Sequence, residues 1–154
     1  MKLLKYILFF LVINFGALAI GTWLMDNGPQ TEWYLNINKA PWTPPGWAFG
    51  TAWTTIMICF SIYMAFLYKL IPGSTTLIAL FSVQFVLNVL WNYIFFNQHL
   101  IAAGLICIVL LTLIVLRFIF DYKDILGIKT LLILPYFVWL CVATSLNTYI
   151  FIYN

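Results

Sequence analysis

Residues Leu70–Leu116 read LIPGSTTLIALFSVQFVLNVLWNYIFFNQHLIAAGLICIVLLTLIVL, without one Asp, Glu, Lys or Arg. A helix crosses the hydrocarbon layer in ~20 apolar residues, so this run is too long for one crossing. Asn97, Gln98 and His99 interrupt it and divide it into spans at 75–96 and 100–120. Working outward, residues 6–25, 46–68 and 130–153 are three further apolar runs of crossing length. The chain of 154 residues is 65% hydrophobic and 7% charged, with a mean hydropathy of +1.05. Soluble domains carry ~25% charged residues, which excludes a water-soluble globule. The expected fold is an all-α membrane protein: one domain, 1–154, built as a bundle of five transmembrane helices with a structured long first loop at 26–45.

A lipid-spanning barrel needs segments of ~10 residues with alternating polarity, and these runs are continuous and twice that length. There is no internal repeat, and an odd span count argues against an inverted-repeat transporter. Lys2, Lys5, Lys69, Arg117, Lys123 and Lys129 fall on one side of the bundle and Lys39 alone on the other. The positive-inside rule therefore puts the amino terminus in the cytoplasm, with the carboxyl terminus and first loop outside, as in a bacterial cytoplasmic membrane. The first apolar run exceeds the ~7–15 residues of a cleaved signal core and is expected to stay as a helix. A net charge of +3, thinly spread, leaves no nucleic-acid footprint.

No Asp, Glu, Lys or Arg sits near a span centre; Arg117 falls at a helix end, where it can snorkel. Intramembrane charges mark pumps, proton relays and voltage sensors, so those classes are disfavoured, as are carboxylate-dependent enzymes. His99 is the one histidine, in a polar turn, and Cys59, Cys107 and Cys141 lie on three different helices. No C-x-x-C pair exists, and no metal site is expected.

What remains is carboxamides and indoles. Gln84, Asn88 and Asn92 recur every four residues and form one stripe on the third helix. An amide facing lipid costs several kcal/mol, so the stripe faces inward, together with Asn14 and Asn147. Two readings are open: hydrogen bonds that hold helices together, or polar handles in an apolar cavity. Trp23, Trp33, Trp42 and Trp47 sit near helix ends, in keeping with an interfacial belt. Trp53, Trp91 and Trp139 lie deeper, and Trp139, Ala143 and Asn147 share one helix face. Such a row either fills the core or lines room for a flat aromatic ligand. Prolines 41, 44 and 45 stiffen the loop before the second helix, as a connector or as a lid. Pro135, inside the 130–153 run, is expected to kink that helix.

Three stretches carry a family likeness: Trp33-Tyr34 with Lys39-Ala40-Pro41-Trp42-Thr43-Pro44-Pro45-Gly46-Trp47-Ala48-Phe49-Gly50 and Trp53-Thr54; Gln84, Leu87-Asn88, Trp91 and Phe95-Phe96; and Pro135-Tyr136, Trp139, Ala143 and Leu146-Asn147. Together they resemble the tryptophan-rich sensory protein family, which includes the mitochondrial translocator protein (the peripheral benzodiazepine receptor). The resemblance implies a homodimeric receptor or carrier that binds protoporphyrin IX and flat hydrophobic ligands in an intramembrane pocket, without a required cofactor. Carried over by motif, Trp53, Asn88, Trp139 and Ala143 would line that pocket, with Tyr34, Pro41, Trp42 and Pro44 closing it; Gln84, Trp91 and Asn147 are further expected ligand contacts. It also implies two alternatives: light- and oxygen-dependent degradation of bound porphyrin, with Trp53 and Trp139 as catalytic residues, or transport of a porphyrin or sterol. Ala40 and Thr51 stand where many members have proline. The carboxyl-terminal cholesterol motif of the animal proteins is missing, because no Lys or Arg follows Tyr149.

Overall fold

The computed structural model of the chain describes residues 2–154, and among these every element is helical. α1 spans Lys2–Leu24 and is followed by a short α2, Glu32–Asn36. α3 (Gly46–Leu70) starts directly after Pro44 and Pro45, whose missing amides are not needed at a helix entrance. α4 (Thr75–Asn92) is capped by Ser74, whose hydroxyl accepts the Leu77 amide. Its last turn, Tyr93–Asn97, widens to π geometry before the break at His99, which has a positive φ of 56°. α5 is Ile101–Leu126 and α6 is Leu134–Tyr153.

Four continuous helical stretches are long and apolar enough to cross a membrane. The fourth, Ile101–Tyr153, is 53 residues long and contains both α5 and α6, so the chain has five long helices. Gly127, at φ +55°, and a 3₁₀ turn through Ile133 fold this stretch back on itself. The Thr112 and Thr144 hydroxyls, on opposite arms of the turn, then meet at 3.2 Å. Two expectations are corrected here. Pro135 lies in the first turn of α6 rather than in a helix interior, so it frees no carbonyl inside α6. α5 runs six residues beyond 120, where Tyr122 and Leu126 still find buried positions.

The long helices adjoin in a closed ring: α3 beside α1, then α4, α5, α6 and back to α3. Inside lies an aromatic and aliphatic core that includes Phe60, Tyr63, Leu111, Phe118, Tyr136 and Leu140, all at or near zero exposure. The outer surface carries Leu8, Val12, Ile106, Leu113 and Val138. A greasy exterior of this extent is a liability in water and a requirement in lipid. Close helix approaches occur at glycine: a Cβ on Gly104 would stand 3.0 Å from the Phe95 ring, and one on Gly21 would stand 2.7 Å from Asn92 Nδ2. The Ala17-x-x-x-Gly21 pair therefore packs inside the chain, whereas Thr75 and Ala79 face outward.

Both ends of the bundle are fastened. At one end the Asn38 amide and side chain donate to Asn154 Oδ1 (2.8 Å) and the Tyr153 carbonyl (3.0 Å). Asn154 Nδ2 returns a bond to the Asn38 carbonyl. Trp33 stacks on His99 at 4.2 Å, so the first loop, the α4–α5 turn and the carboxyl terminus share this end. At the other end Lys129 Nζ lies 4.3 Å from the centre of the Phe66 ring.

Candidate ligand-binding interior

A chain of contacts crosses the ring from α4 to α3. Gln84 Nε2 donates to the Tyr136 hydroxyl at 2.7 Å, with both side chains buried. The Tyr136 ring meets Phe60 and Trp53 edge-on, at 5.3 and 6.0 Å between centroids. One turn along each helix, Trp139 meets Phe49 edge-on at 5.3 Å. The half-buried indoles of Trp53 and Trp139 thus line the seam where α3 faces α6. Tyr136 is a central residue that does not stand among the expected pocket residues. A signal does exist, because Tyr136, Leu140, Ala143 and Asn147 recur at helical spacing on one face, and all four are buried.

The carboxamides divide between the two open readings. Asn14 Nδ2 donates to Ser61 Oγ at 2.8 Å, and that hydroxyl donates to the Met57 carbonyl at 2.6 Å. This is helix-to-helix bonding between α1 and α3. Asn147 differs: its Nδ2 goes to the Ala143 carbonyl of its own helix (2.9 Å), while its Oδ1 is buried without a partner. Because a carbonyl only accepts, this bond fixes which end of the Asn147 amide is oxygen. Gln84 Oε1 and Trp91 Nε1 are likewise buried and unpaired among the described residues. An unmade bond in an apolar interior costs on the order of 1–3 kcal/mol, so these atoms are expensive unless something polar meets them. Asn88 is buried on the same stripe, and its carbonyl accepts Asn92 Nδ2 at 3.2 Å.

Trp91 stacks on Phe95 at 5.4 Å with rings 8° from parallel, and Phe95 meets Trp33 at 5.5 Å. Aromatic contact thus runs from the interior out to the first loop. There Tyr34 packs against Phe96 at 5.3 Å, and burial raises its phenol pKa, keeping it neutral. Lys39 Nζ donates to the Tyr34 and Leu35 carbonyls (2.6 and 3.0 Å), closing the carboxyl end of α2. Pro44 is half-buried and Pro41 exposed.

Trp42 does not join these residues. Its Nε1 donates to Ser145 Oγ at 3.1 Å and its ring meets Tyr149 at 5.5 Å. At ~100° per residue, Ser145 and Tyr149 lie away from the Tyr136–Ala143–Asn147 row. The indole instead walls an outward groove of about 630 Å³, together with Thr112, Cys141, Thr144 and Thr148. Gln84, Asn88, Ala143 and Asn147 are buried within the bundle, and Trp53, Trp91 and Trp139 are half-buried. Tyr34 caps its loop end, and Trp42 stands outside. The closure expected of Trp42 over the same recess is not what the geometry gives.

A profile of the TspO/MBR family matches residues 9–153. Protein CrtK of Rhodobacter capsulatus is 35% identical over 118 residues, 75% of this chain and 74% of its own. Tryptophan-rich protein TspO of Archaeoglobus fulgidus is 32% identical over 156 aligned positions, covering 100% and 97% of the two chains. The human translocator protein is 26% identical over 79% of this chain and 74% of its own. With helices of membrane-spanning length and membrane-protein relatives across its length, the chain is a multi-pass integral membrane protein, and it belongs to the TspO/MBR family.

Proposed function

We propose that the chain is a five-span membrane receptor or carrier for tetrapyrroles and similar flat hydrophobic molecules, held in the bundle interior with a regulatory or stress-sensing output. The observation that carries this reading is the set of unpaired buried atoms, Gln84 Oε1, Trp91 Nε1 and Asn147 Oδ1, among indoles on α3, α4 and α6. A macrocycle with a greasy face and polar pyrrole and carboxyl groups meets both demands. Trp53 and Trp139 contact its faces, Asn88 and the unpaired atoms its polar groups, and Ala143 leaves it room. Tyr34 and the Pro41–Pro44 segment bound the mouth. Relatives named tryptophan-rich sensory protein and translocator protein support a sensing or carrying role.

The test is a titration with protoporphyrin IX of the purified chain in detergent, in darkness. Saturable quenching of indole fluorescence is expected, with one site per chain. Asn147→Leu is expected to weaken binding about tenfold, as loss of one well-placed polar contact of ~1.4 kcal/mol does. Folded protein that quenches only linearly, without saturation, overturns the reading.

The functional form is a homodimer in a bacterial cytoplasmic membrane with the amino terminus inside. Its orientation rests on six basic residues at one end against Lys39 at the other. In a cysteine-free background, Asn27→Cys is expected to react with an impermeant maleimide on intact cells. Asp124→Cys is expected to react only after lysis, and the reverse pattern inverts the topology.

A further inference from the structure

The first loop meets the α4–α5 turn through two rings. Trp33 of α2 and His99 of the turn are stacked, with centroids 4.2 Å apart and planes 14° from parallel. His99 is exposed and Trp33 half-buried, and the indole also meets Phe95 edge-on at 5.5 Å. The imidazole stands just past the carboxyl end of α4, on a backbone in the left-handed region at φ 56°. Few residues other than glycine hold that conformation, and such outliers gather where a turn is tightly determined or functional. In the turn, Gln98 and Asn97 bond to each other at 2.7 Å and leave the imidazole nitrogens without a hydrogen bond among the described residues. No described carboxylate pairs with it. The titratable groups on the elements around it are Asp26, Glu32, Tyr34 and Lys39 of the first loop and Tyr93 in the last turn of α4; the adjoining ends of α1 and α5 have none. Lys39 is engaged by the carbonyls that close α2, and burial keeps Tyr34 neutral.

We infer that His99 and Trp33 form a proton-operated clasp, in which an imidazolium holds the first loop against the α4–α5 turn more firmly than a neutral imidazole does. Two effects act with the same sign. A cation over an indole face is attracted by the ring's quadrupole, and a cation beyond a helix's carboxyl end faces the negative pole of its dipole. Histidine changes charge between about pH 5 and pH 8, unlike the other side chains at this end. Because the charged form gains the partners, the extra hold is fully present in acid and is lost as pH rises through the imidazole's titration. The effect reaches inward, since Phe95 is also stacked on Trp91 at 5.4 Å, and Trp91 Nε1 is one of the buried unpaired atoms. A firmer first loop closes the mouth of the interior. That consequence, unlike the clasp itself, rests on the interior being the binding site proposed above.

Hydrogen exchange of the full chain in phosphatidylcholine nanodiscs, without ligand, tests the clasp. The Leu35 and Ile37 amides, bonded to the Thr31 and Trp33 carbonyls, report whether α2 is held. Corrected for the chemistry of exchange, they are expected to be about fivefold better protected at about pH 5.5 than at about pH 8, or ~1 kcal/mol. His99→Gln is expected to abolish the difference, and His99→Arg, a planar cation at every pH, to give protection at both. Trp33→Leu removes the ring face and is expected to abolish the difference too, whereas Glu32→Gln and Asp26→Asn leave it in place. Protection that does not change with pH in the parent overturns the clasp, as does a difference that survives His99→Gln. So does an equal change in the amides of α3 and α5, which reports the stability of the whole bundle. The consequence at the mouth is read separately, as the rate at which protoporphyrin leaves in darkness. At about pH 5.5 release is expected to be about fivefold slower from the parent than from His99→Gln, and about equal at about pH 8. Comparing two proteins at one pH cancels the pigment's own titration. Equal release at both pH values overturns the closing of the mouth. An absence of porphyrin binding overturns the binding-site reading instead, and the exchange experiment still decides the clasp.

Discussion

Tyr136→Ala is expected to lower the stability of the folded bundle by about 3–4 kcal/mol, whereas Tyr136→Phe should lower it by about 1 kcal/mol. The two figures have different origins. The unfolded reference of a membrane helix is already in lipid, so deleting a ring costs little transfer free energy and mostly costs packing. Each ~100 Å³ of unfilled space costs on the order of 2–2.5 kcal/mol. The Tyr136 ring is 1% exposed and touches Phe60 and Trp53, so no neighbour is free to collapse into the space. The remainder comes from Gln84. Its Nε2 bond to the hydroxyl is its only side-chain bond in the structure, and Oε1 already lacks a partner. Removing the hydroxyl strands the whole carboxamide. Adding Gln84→Leu to Tyr136→Phe removes the stranded group, and the double variant is expected to recover most of the lost stability. Unfolding by SDS titration in mixed micelles measures the parent and all three variants. A Tyr136→Phe variant as unstable as Tyr136→Ala would mean that the hydroxyl, not the ring, holds the seam between α4 and α6.

The sequence announces the helices more clearly than their relative rotations. Charge counting locates five apolar spans and the break at Asn97–His99, because lipid forbids unpaired backbone and leaves few other solutions. It stops α5 at 120, since charge marks where hydrocarbon ends and not where a helix ends; the helix goes on through Tyr122 and Leu126. Pro135 reads as mid-helix because Thr130–Ile133 are apolar enough to belong to a span, yet Gly127 winds them into a 3₁₀ turn. Four-residue spacing puts Gln84 and Asn88 on an inward face, where both are buried. That spacing holds no information on partners. Ser61 as the mate of Asn14, and Tyr136 as the mate of Gln84, depend on helix rotations that no local pattern records. Trp42 shows the same limit from the other side. Proline fixes the stiffness of its loop, but the ring follows Ser145 and Tyr149 to the outside of α6.

Trp53→Phe combined with Trp139→Phe separates holding a porphyrin from destroying it. Both indoles stand on the α3–α6 seam, edge-on to Tyr136 and Phe49 and half-buried. Phenylalanine keeps a flat apolar ring at each position and removes the more easily oxidised indole. Affinity for protoporphyrin in darkness is therefore expected to fall by no more than about threefold, or ~0.65 kcal/mol. If the bound pigment is broken down photochemically, an indole would lend an electron to the light-excited ring, the ring would pass it to dioxygen, and the oxidised indole would recover it from the ring, leaving the oxidised ring and the reduced oxygen to combine. The protein then supplies position and the pigment the photochemistry. Under illumination in air, bleaching by the double variant should slow about tenfold or more, equivalent to at least ~1.4 kcal/mol on the barrier. Bleaching in both proteins should stop when oxygen is removed. Equal bleaching by variant and parent assigns the two indoles to binding alone and leaves the chain a receptor or carrier. A loss of dark affinity that matches the loss of bleaching leads to the same assignment, because the slower reaction then reflects less bound pigment. Only a fall in bleaching per bound porphyrin makes this interior a place of chemistry as well as recognition.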